Sequence, residues 1–429
     1  MAFSLIMSGM HDKDLYQQIL GISAPWRVAN VDLDMPGRQV VVRLEYDPIS
    51  VLACPTCGEP CSGYDKRSRS WRHLDTCQFK TILEAEVPRA SCREHGVVQV
   101  KVPWAESGSK FTAMFEAMVI SWMREASLSA VADLMGISWD QADVIMEHAV
   151  KRGLSRREEK PIIKIGLDET SYQKHHEYVT VILDQDRNVV VEVIDDRTKE
   201  QLGDWLKARP EGHLNAVESV SMDMWNPFIQ ALLESVPGAE EKICFDRFHV
   251  SQHFGKAVDK VRADEHRELK ERLGLSPLTH TKHDWLTNSE RTDNRTRPDF
   301  MALTRINLKT ARAWAIKETA GGLWAFSYRG AAEREWERLL SWISRCRLKP
   351  VVKVGNMVRE HLWGILNAII AKVTNAKSES MNSRIQKIKA MACGFRNRTR
   401  FRRAILFHLG GLKLLPEGAF HPHIAHTET

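Results

Sequence analysis

Pro161 to Asp184 reads PIIKIGLDETSYQKHHEYVTVILD. The apolar run Ile162 to Leu167 ends in Asp168, a polar turn follows, and a second run, Tyr178 to Leu183, ends in Asp184. Two short Val- and Ile-rich runs with a polar break between them predict a β-hairpin or meander. A carboxylate closing a buried strand is costly unless it caps a turn or meets a cation. Taken alone, the stretch favours the turn cap. Downstream the pattern recurs. Val217 to Ser221 predicts a strand with Asp223 just past its end in SMDMWNPF, and Glu241 to Phe245 predicts another, ending in Asp246-Arg-Phe-His249. Asn188 to Ile194 predicts a further strand. Thr198 to Ala208 and Phe228 to Ser235 predict helices, the second capped and opened by Asn226 and Pro227. Three strands followed by alternating helix and strand make a mixed α/β sheet. Asp168, Asp223 and Asp246 then lie just beyond strand ends at one sheet edge, a set suited to a hard cation.

The chain has 429 residues, which is long for one core and predicts two to four domains. Hydrophobic content of 43% and charged content of 27% are those of a globular protein rather than a disordered or fibrous one. No apolar run approaches the ~20 residues of a membrane span. The start, MAFSLIMSGMHDKD, lacks the basic region and cleavage site of a signal peptide. A reducing cytoplasm is expected, where the eight cysteines serve as thiols or metal ligands rather than disulfides. The net charge of +6 is uneven: Ser380 to Arg403 holds eight basic residues and no acid, which leaves −2 for the rest. These eight are Arg384, Lys387, Lys389, Arg396, Arg398, Arg400, Arg402 and Arg403. Such a concentration suits a polyanionic partner.

Upstream, Lys13 to Leu20 predicts a short helix and Arg38 to Tyr46 a strand. Cys54-Pro-Thr-Cys57-Gly forms one tight knuckle and, after a strand over Lys80 to Val87, Cys92-Arg-Glu-His95-Gly forms a second. Two intervening residues let both side chains of a pair reach one tetrahedral metal, and the following glycine eases the reversal. The expected site is a zinc-ribbon-like Cys3His set. Cys61 and Cys77 are rivals outside the paired knuckles. Lys66, Arg67, Arg69 and Arg72 lie between the knuckles in what reads as a basic loop. Next, Phe111 to Arg124, Ser127 to Met135 and Trp139 to Lys151 have helical periodicity, with Ser138 as an N-cap. The short helix, glycine turn and longer helix fit a helix-turn-helix, with Ala130 at the crossing and Ile137 and Val144 in the core. Asp140, Asp143 and Glu147 on the last helix oppose phosphate, whereas Lys151, Arg152, Arg156 and Arg157 at its end favour it. Leu154 to Lys160 reads as a charged linker.

From Gln252 to Thr374 the chain reads as nearly all helix, with Trp285, Trp314, Trp324, Trp336, Trp342 and Trp363 expected to pack and Thr279 to Arg297 expected as a loop. Then comes NAKSESMNSRIQKIKAMACGFRNRTRFRRAILF, in which Glu379 opens a helix beside the basic track.

These blocks resemble one family. GLDETSYQKHHEYVTVILD, SMDMWNPF, CFDRFHV and NAKSESMNSRIQKIKAMACGFRN, in this order and behind zinc knuckles and a helix-turn-helix, are similar to bacterial insertion-sequence transposases of the ISL-three family. The resemblance covers nearly the whole chain. It implies an α/β RNase-H-like catalytic domain with an all-α insertion, over 159–251 and 375–412 with 252–374 inserted. It further implies a zinc-binding domain over 1–105, a helix-turn-helix domain over 106–158 and a tail over 413–429. Asp168, Asp223 and Glu379 match the family's DDE triad, 55 and then 156 residues apart. Asp246 and His249 match its D-x-x-H signature, in a supporting role. His95 stands where a cysteine is also usual, which leaves the site competent for zinc. Glu169, the neighbour of Asp168, is expected on the opposite strand face with no role.

What the resemblance implies chemically is phosphodiester cleavage with two Mg2+ (or Mn2+) ions held by Asp168, Asp223 and Glu379. Water frees a 3′-OH at the element's end, and that hydroxyl attacks target DNA. The implied partners are double-stranded DNA, as terminal inverted repeats and target, and a second protomer or more for synapsis. Three other readings remain at this point: a zinc and helix-turn-helix regulator that binds DNA without cutting it, a nuclease or resolvase on the same fold that cuts DNA without joining it, and an inactive transposase derivative.

Overall fold

The computed structural model describes residues 12–172, 178–287, 297–306, 308–373 and 376–418. The chain divides into two units, residues 1–157 with 412–429, and residues 158–411.

The first unit opens with α1 (Asp12–Ile19) and a sheet of β1 (Trp26–Asp34), β2 (Gln39–Tyr46), β3 (Leu52–Ala53), β4 (Pro60–Thr76), β5 (Phe79–Cys92) and β6 (Gly96–Gln99). The order is β1-β2-β5-β4-β3, with β6 on β5. The stretch holding Lys66, Arg67, Arg69 and Arg72, expected as a loop, is part of β4. It pairs antiparallel with β5 from Ser62↔Ser91 to Thr76↔Phe79. Its period-2 signal is weak because both faces are exposed up to Arg69, and only Trp71 and His73 are buried. Cys77 and Gln78 make the two-residue hairpin turn, with φ of 49° and 69°. The core gathers on Trp26, Trp71 and Trp104, packed edge to face at 4.8 and 5.3 Å.

Three helices follow: α2 (Ala113–Glu125), α3 (Leu128–Met135) and α4 (Trp139–Ser155). Each start is set by a hydroxyl cap, Thr112, Ser127 and Ser138, the last in a reciprocal capping box with Gln141. Gly136 ends α3 in the left-handed region. The buried positions differ from those expected. Ala130 and Val144 are exposed and Ile137 is half-buried; Val131, Ala132, Ala142, Ile145, Met146 and Ala149 form the core. The helical stripe is offset by one residue, which single-residue size arguments do not resolve. Arg152 is buried, not offered to a partner. Its guanidinium pairs with Glu106 at 2.6 Å and buried Glu116 at 2.9 Å and donates to the Leu414 carbonyl. Leu412 packs on Gly153, and Arg156 donates to the Leu415 carbonyl at 2.7 Å. Residues 412–418 thus complete the first unit rather than forming a tail.

The second unit contains β7 (Lys164–Ser171), β8 (Tyr178–Asp184), β9 (Val189–Ile194), α5 (Lys199–Lys207), β10 (Ser219–Met222), α6 (Asn226–Ser235), α7 (Ala239–Lys242) and β11 (Ile243–Phe245). The strand order is β11-β10-β7-β8-β9. The β7, β8 and β9 strands are antiparallel neighbours, and β10 runs parallel to both β7 and β11. Every residue of β10 and β11 is buried, as parallel strands covered on both faces require. Asp168 does not end its strand: Thr170 and Ser171 still pair with Val179 and Tyr178. Asp184 does cap a turn, accepting from the Asp186 and Arg187 amides. The polar turn 173–177 lies outside the described residues. Trp225, whose side chain makes no capping bond to the helix, is the N-cap of α6, so Asn226 starts the helix rather than capping it.

The helical region comprises α8 (Arg247–Leu273), α9 (Lys282–Leu286), α10 (Arg297–Arg305), α11 (Lys309–Gly322), α12 (Arg329–Arg345), α13 (Lys349–Glu360) and α14 (Leu362–Ala371), and then come α15 (Ala376–Met391) and α16 (Arg398–Leu409). Its expected start at residue 252 falls inside α8, which runs unbroken from the end of β11. One hydrophobic core joins the sheet to these helices. Gly364 lets α14 lie on the Phe245 ring, and Asn367 donates to the Glu240 and Ile243 carbonyls at 2.7 and 2.9 Å. Trp285 and Trp336 are fully buried, Trp314, Trp324 and Trp363 half-buried, and Trp342 exposed. Within the expected loop Thr279 to Arg297, α9 forms, and residues 288–296 lie outside the described residues. Among the described residues, no helix is long and apolar enough to cross a membrane.

Candidate active site and metal centre

Strand register brings three aspartates to one level. Gly166 of β7 is opposite Ser221 of β10, and Ser221 is opposite Cys244 of β11. Asp168, Asp223 and Asp246 each lie two residues further along these parallel strands, so they share a level and, by the two-residue period, a face. Neighbouring strands are about 4.8 Å apart, which sets the spacing of the row. Asp223 and Asp246 are past the ends of their strands. Asp246 is the N-cap of α8 and accepts from the Phe248 amide at 2.9 Å. His249, one turn into α8, has Nδ1 3.6 Å from Asp223 Oδ2 and Nε2 3.6 Å from Asp246 Oδ2.

Helix α15 covers the same face. A Cβ on Gly166 would stand 3.1 Å from Ser378 Oγ, Asn382 Nδ2 donates to Asp168 Oδ2 at 2.7 Å, and Gln386 Nε2 reaches Thr170 Oγ1 at 3.4 Å. Helix positions four apart rise about 6 Å, close to the ~6.6 Å of two strand residues, so 378, 382 and 386 run in step with 166, 168 and 170. Glu379 belongs to this helix, next to Ser378 and three residues before Asn382; its side chain lies outside the described residues. Burial pushes the Asp168 carboxyl up to about 6, against the Glu169 amide, His249 and the Asn382 amide, which favour the ionised form; nearby Asp246 adds to the rise. A buried carboxylate so perturbed, in a row of acids, is suited to receive a cation.

Glu169 has more to do than its strand face suggests. Its carboxylate lies 2.6 Å from Arg197 Nε. Burial raises its pKa, Arg197 opposes this, and Asp223 and Asp168 add to the rise. Sequence reasoning also misses Asn382, although Ser378, Asn382 and Gln386 form a polar i, i+4, i+8 stripe that signals a polar contact surface.

The basic residues of this region divide. Arg384, Lys387, Arg396 and Arg400 are exposed, as is Lys151 of the first unit. Lys389 donates to the Ser171 carbonyl, Arg398 pairs with Asp196 at 3.3 Å and Arg402 with Glu192 at 2.8 Å, while Arg403 is buried. Lys389 and Arg402 tie α15 and α16 to the sheet, and Arg398 ties α16 to the turn after β9.

In the first unit, Cys54, Cys57, Cys92 and His95 bring their ligand atoms within 4.8 Å of one another. Cys54 Sγ is 3.7 Å from His95 Nδ1, Cys57 Sγ 3.7 Å from Cys92 Sγ, and Cys92 Sγ 3.6 Å from His95 Nδ1. A zinc tetrahedron with bonds of about 2.3 Å to sulfur and 2.0–2.1 Å to nitrogen has edges of about 3.5–3.8 Å, so the set fits the ion. Gly58 and Gly96, at φ of 76° and 68°, close the two knuckles in a conformation a side chain would strain. Backbone and imidazole donors from His95 hold the Cys92 thiol down at about 6, which favours a thiolate ligand. Cys61 and Cys77 are not part of the cluster.

Three family models match successive segments of the chain. A family model described as "Transposase" matches residues 165–405. One described as "zinc-finger of transposase IS204/IS1001/IS1096/IS1165" matches residues 50–95, and a "Helix-turn-helix domain of transposase family ISL3" matches residues 100–150. The transposase for insertion sequence element IS1557 of Mycobacterium tuberculosis is 26% identical over 454 residues, spanning 97% of this chain and 100% of that protein. The transposase for IS1001 of Bordetella parapertussis is 21% identical over 374 residues, spanning 85% and 90% respectively.

Proposed function

The chain belongs to the ISL3 family of transposases, and from that premise we propose that it binds the ends of its own insertion sequence, cleaves to free 3′-OH ends and joins them to target DNA. The observation that carries this reading is the row of Asp168, Asp223 and Asp246 at one level of three parallel strands, with α15 laid on the Asp168 face. The strand order β11-β10-β7-β8-β9, three antiparallel strands continued by two parallel ones, supports an RNase-H-like catalytic domain interrupted by a helical insertion.

Asp168, Asp223 and Glu379 would hold the Mg2+ or Mn2+ ions of the working site, two by the family's chemistry. When bound, the ions polarise the phosphate and acidify the attacking water. The acids would fix where these charges sit, and the Asn382 amide, donating to Asp168 Oδ2, favours its ionised form against the burial that opposes it. His249, between Asp223 and Asp246, orients the second acid. Water adds to the phosphorus at the element's end as the bond to the 3′ oxygen breaks, and that oxygen takes up a proton as water gives one up; the freed 3′-OH then attacks a phosphorus of target DNA, whose own 3′ oxygen leaves as a hydroxyl. The Cys3His set holds a structural Zn2+ that fixes the two knuckles.

The test is cleavage and strand transfer on the element's own paired ends with Mg2+, comparing wild type with Glu379→Gln. Cut and joined product from wild type alone is expected, with synapsis of the two ends by at least two protomers visible as a paired-end complex. Equal activity in the variant removes Glu379 from the site; DNA binding without cleavage in wild type favours the regulator or inactive-derivative readings.

Arg384, Lys387, Arg396, Arg400 and Lys151 are the side chains we assign to phosphate contact. Replacing Arg384 and Lys387 with alanine should weaken end binding and flatten its log–log salt dependence by about 0.9 for each phosphate no longer neutralised. An unchanged salt slope would exclude both from the interface.

A further inference from the structure

Arg197 lies in the turn between β9 and α5, outside every motif the sequence singles out. Its guanidinium stacks over the Trp225 ring, 4.5 Å from the centroid, and is 5.2 Å from the centroid of Tyr178. Its Nε meets Glu169 at 2.6 Å, and its own carbonyl accepts a hydrogen bond from Trp225 Nε1 at 3.0 Å. Glu169 adjoins Asp168, and Trp225 is two residues past Asp223. One residue therefore grips both segments that carry the first two acids.

The sheet does not do this by itself. Asp168 is inside a paired strand, but the β10 ladder ends at Met222, so Asp223 lies beyond its last strand partner. Its loop is held by the Trp225 amide on the Asp223 carbonyl at 2.8 Å, by the Met224 amide on Asp223 Oδ1 at 2.7 Å, and by the clasp on Arg197. Asp168 and Asp223 both repel the Glu169 carboxylate, and Arg197 is the guanidinium set against that charge. The guanidinium pairs with a carboxylate while its flat face stacks on a ring; a lysine ammonium has no such face.

We propose that Arg197 is a positioning residue that sets the separation of Asp168 and Asp223 for the divalent cation. This rests on the reading of those acids as metal ligands. The test is Mn2+ binding to the zinc-loaded full chain without DNA, followed by the electron paramagnetic resonance of free Mn2+, with Asp168→Asn defining the site. In parallel, the Mg2+ dependence of end cleavage is measured.

Arg197→Lys and Arg197→Ala should each weaken Mn2+ about tenfold or more, the size expected when a group orienting a metal ligand is lost. Half-saturating Mg2+ for cleavage should rise in step, while the melting temperature and end binding stay near wild type. Trp225→Phe, which keeps a ring but loses the N–H donor, should give an intermediate shift and decides the matter if Arg197→Ala does not fold. Unchanged Mn2+ affinity in Arg197→Lys and Trp225→Phe overturns the proposal, as does a loss of affinity that only tracks a loss of melting temperature. If wild type binds Mn2+ through Asp168 yet cuts no DNA, the transposase reading fails while the Mn2+ comparison still judges Arg197.

Discussion

Asp168→Asn is expected to lower strand cleavage by about a thousandfold or more, the scale of several kcal/mol lost from transition-state charge stabilisation. In magnesium-free buffer the same variant should be more stable than wild type. Burial raises the Asp168 pKa to about 6 in the folded state, above the ~3.9 of an unfolded chain. Folding therefore disfavours the ionised form. The penalty is absent below the unfolded value, grows as pH rises from about 4 to about 6, and is complete above that, at about 3 kcal/mol. Asparagine carries no such charge, so the variant should lack this part of the pH dependence and gain most against wild type near neutrality. Urea unfolding of both proteins at pH 4 and pH 7.5, with zinc left in place, measures it. A variant less stable than wild type at pH 7.5, or one that still cleaves well, would remove Asp168 from the centre of the site.

Cys92→Ser should be the most damaging change in the first unit. A structural zinc contributes on the order of 10 kcal/mol of folding free energy in small zinc domains, and the Cys92 sulfur lies against both Cys57 Sγ and His95 Nδ1. The expected result is loss of the bound zinc by elemental analysis, loss of the first unit's unfolding transition and loss of end binding. Mn2+ binding to the second unit should persist. Cys61→Ser and Cys77→Ser serve as controls: Cys61 donates to the Glu59 carbonyl at 3.3 Å and Cys77 is a hairpin turn residue, so both should keep zinc. Zinc retained by Cys92→Ser and lost by Cys61→Ser would reassign the ligand set.

Local signals in the chain carry far. Each knuckle is a four-residue spacing, each hydroxyl cap lies next to its helix, and the runs around Asp168 and Tyr178 alternate or stay apolar as their burial demands. Signals that need two distant segments do not carry. The shared level of Asp168, Asp223 and Asp246 depends on which residues of β10 face Gly166 and Cys244, and spacing along the chain does not encode that register. Arg197 is unreadable for the same reason, since its partners Glu169 and Trp225 are 28 residues away on either side. The β4 arm reads as a loop because exposed strand residues lose the alternation that a buried face imposes. Glu379 rests on resemblance alone, because an isolated glutamate early in a helix is an ordinary partner of the helix dipole.

The closing segment of the first unit has a consequence for how the protein is made. The guanidinium of Arg152 finds its last acceptor, the Leu414 carbonyl, 262 residues later in the chain. On the ribosome the unit that begins synthesis is therefore the last to be finished, with all of residues 158–411 emerging in between. A message broken anywhere in that interval yields a chain that lacks the strap over α4, and one broken before Phe245 also lacks part of the five-stranded sheet. Such a fragment should therefore carry an unfinished first unit, with the Arg152 guanidinium short of its last acceptor.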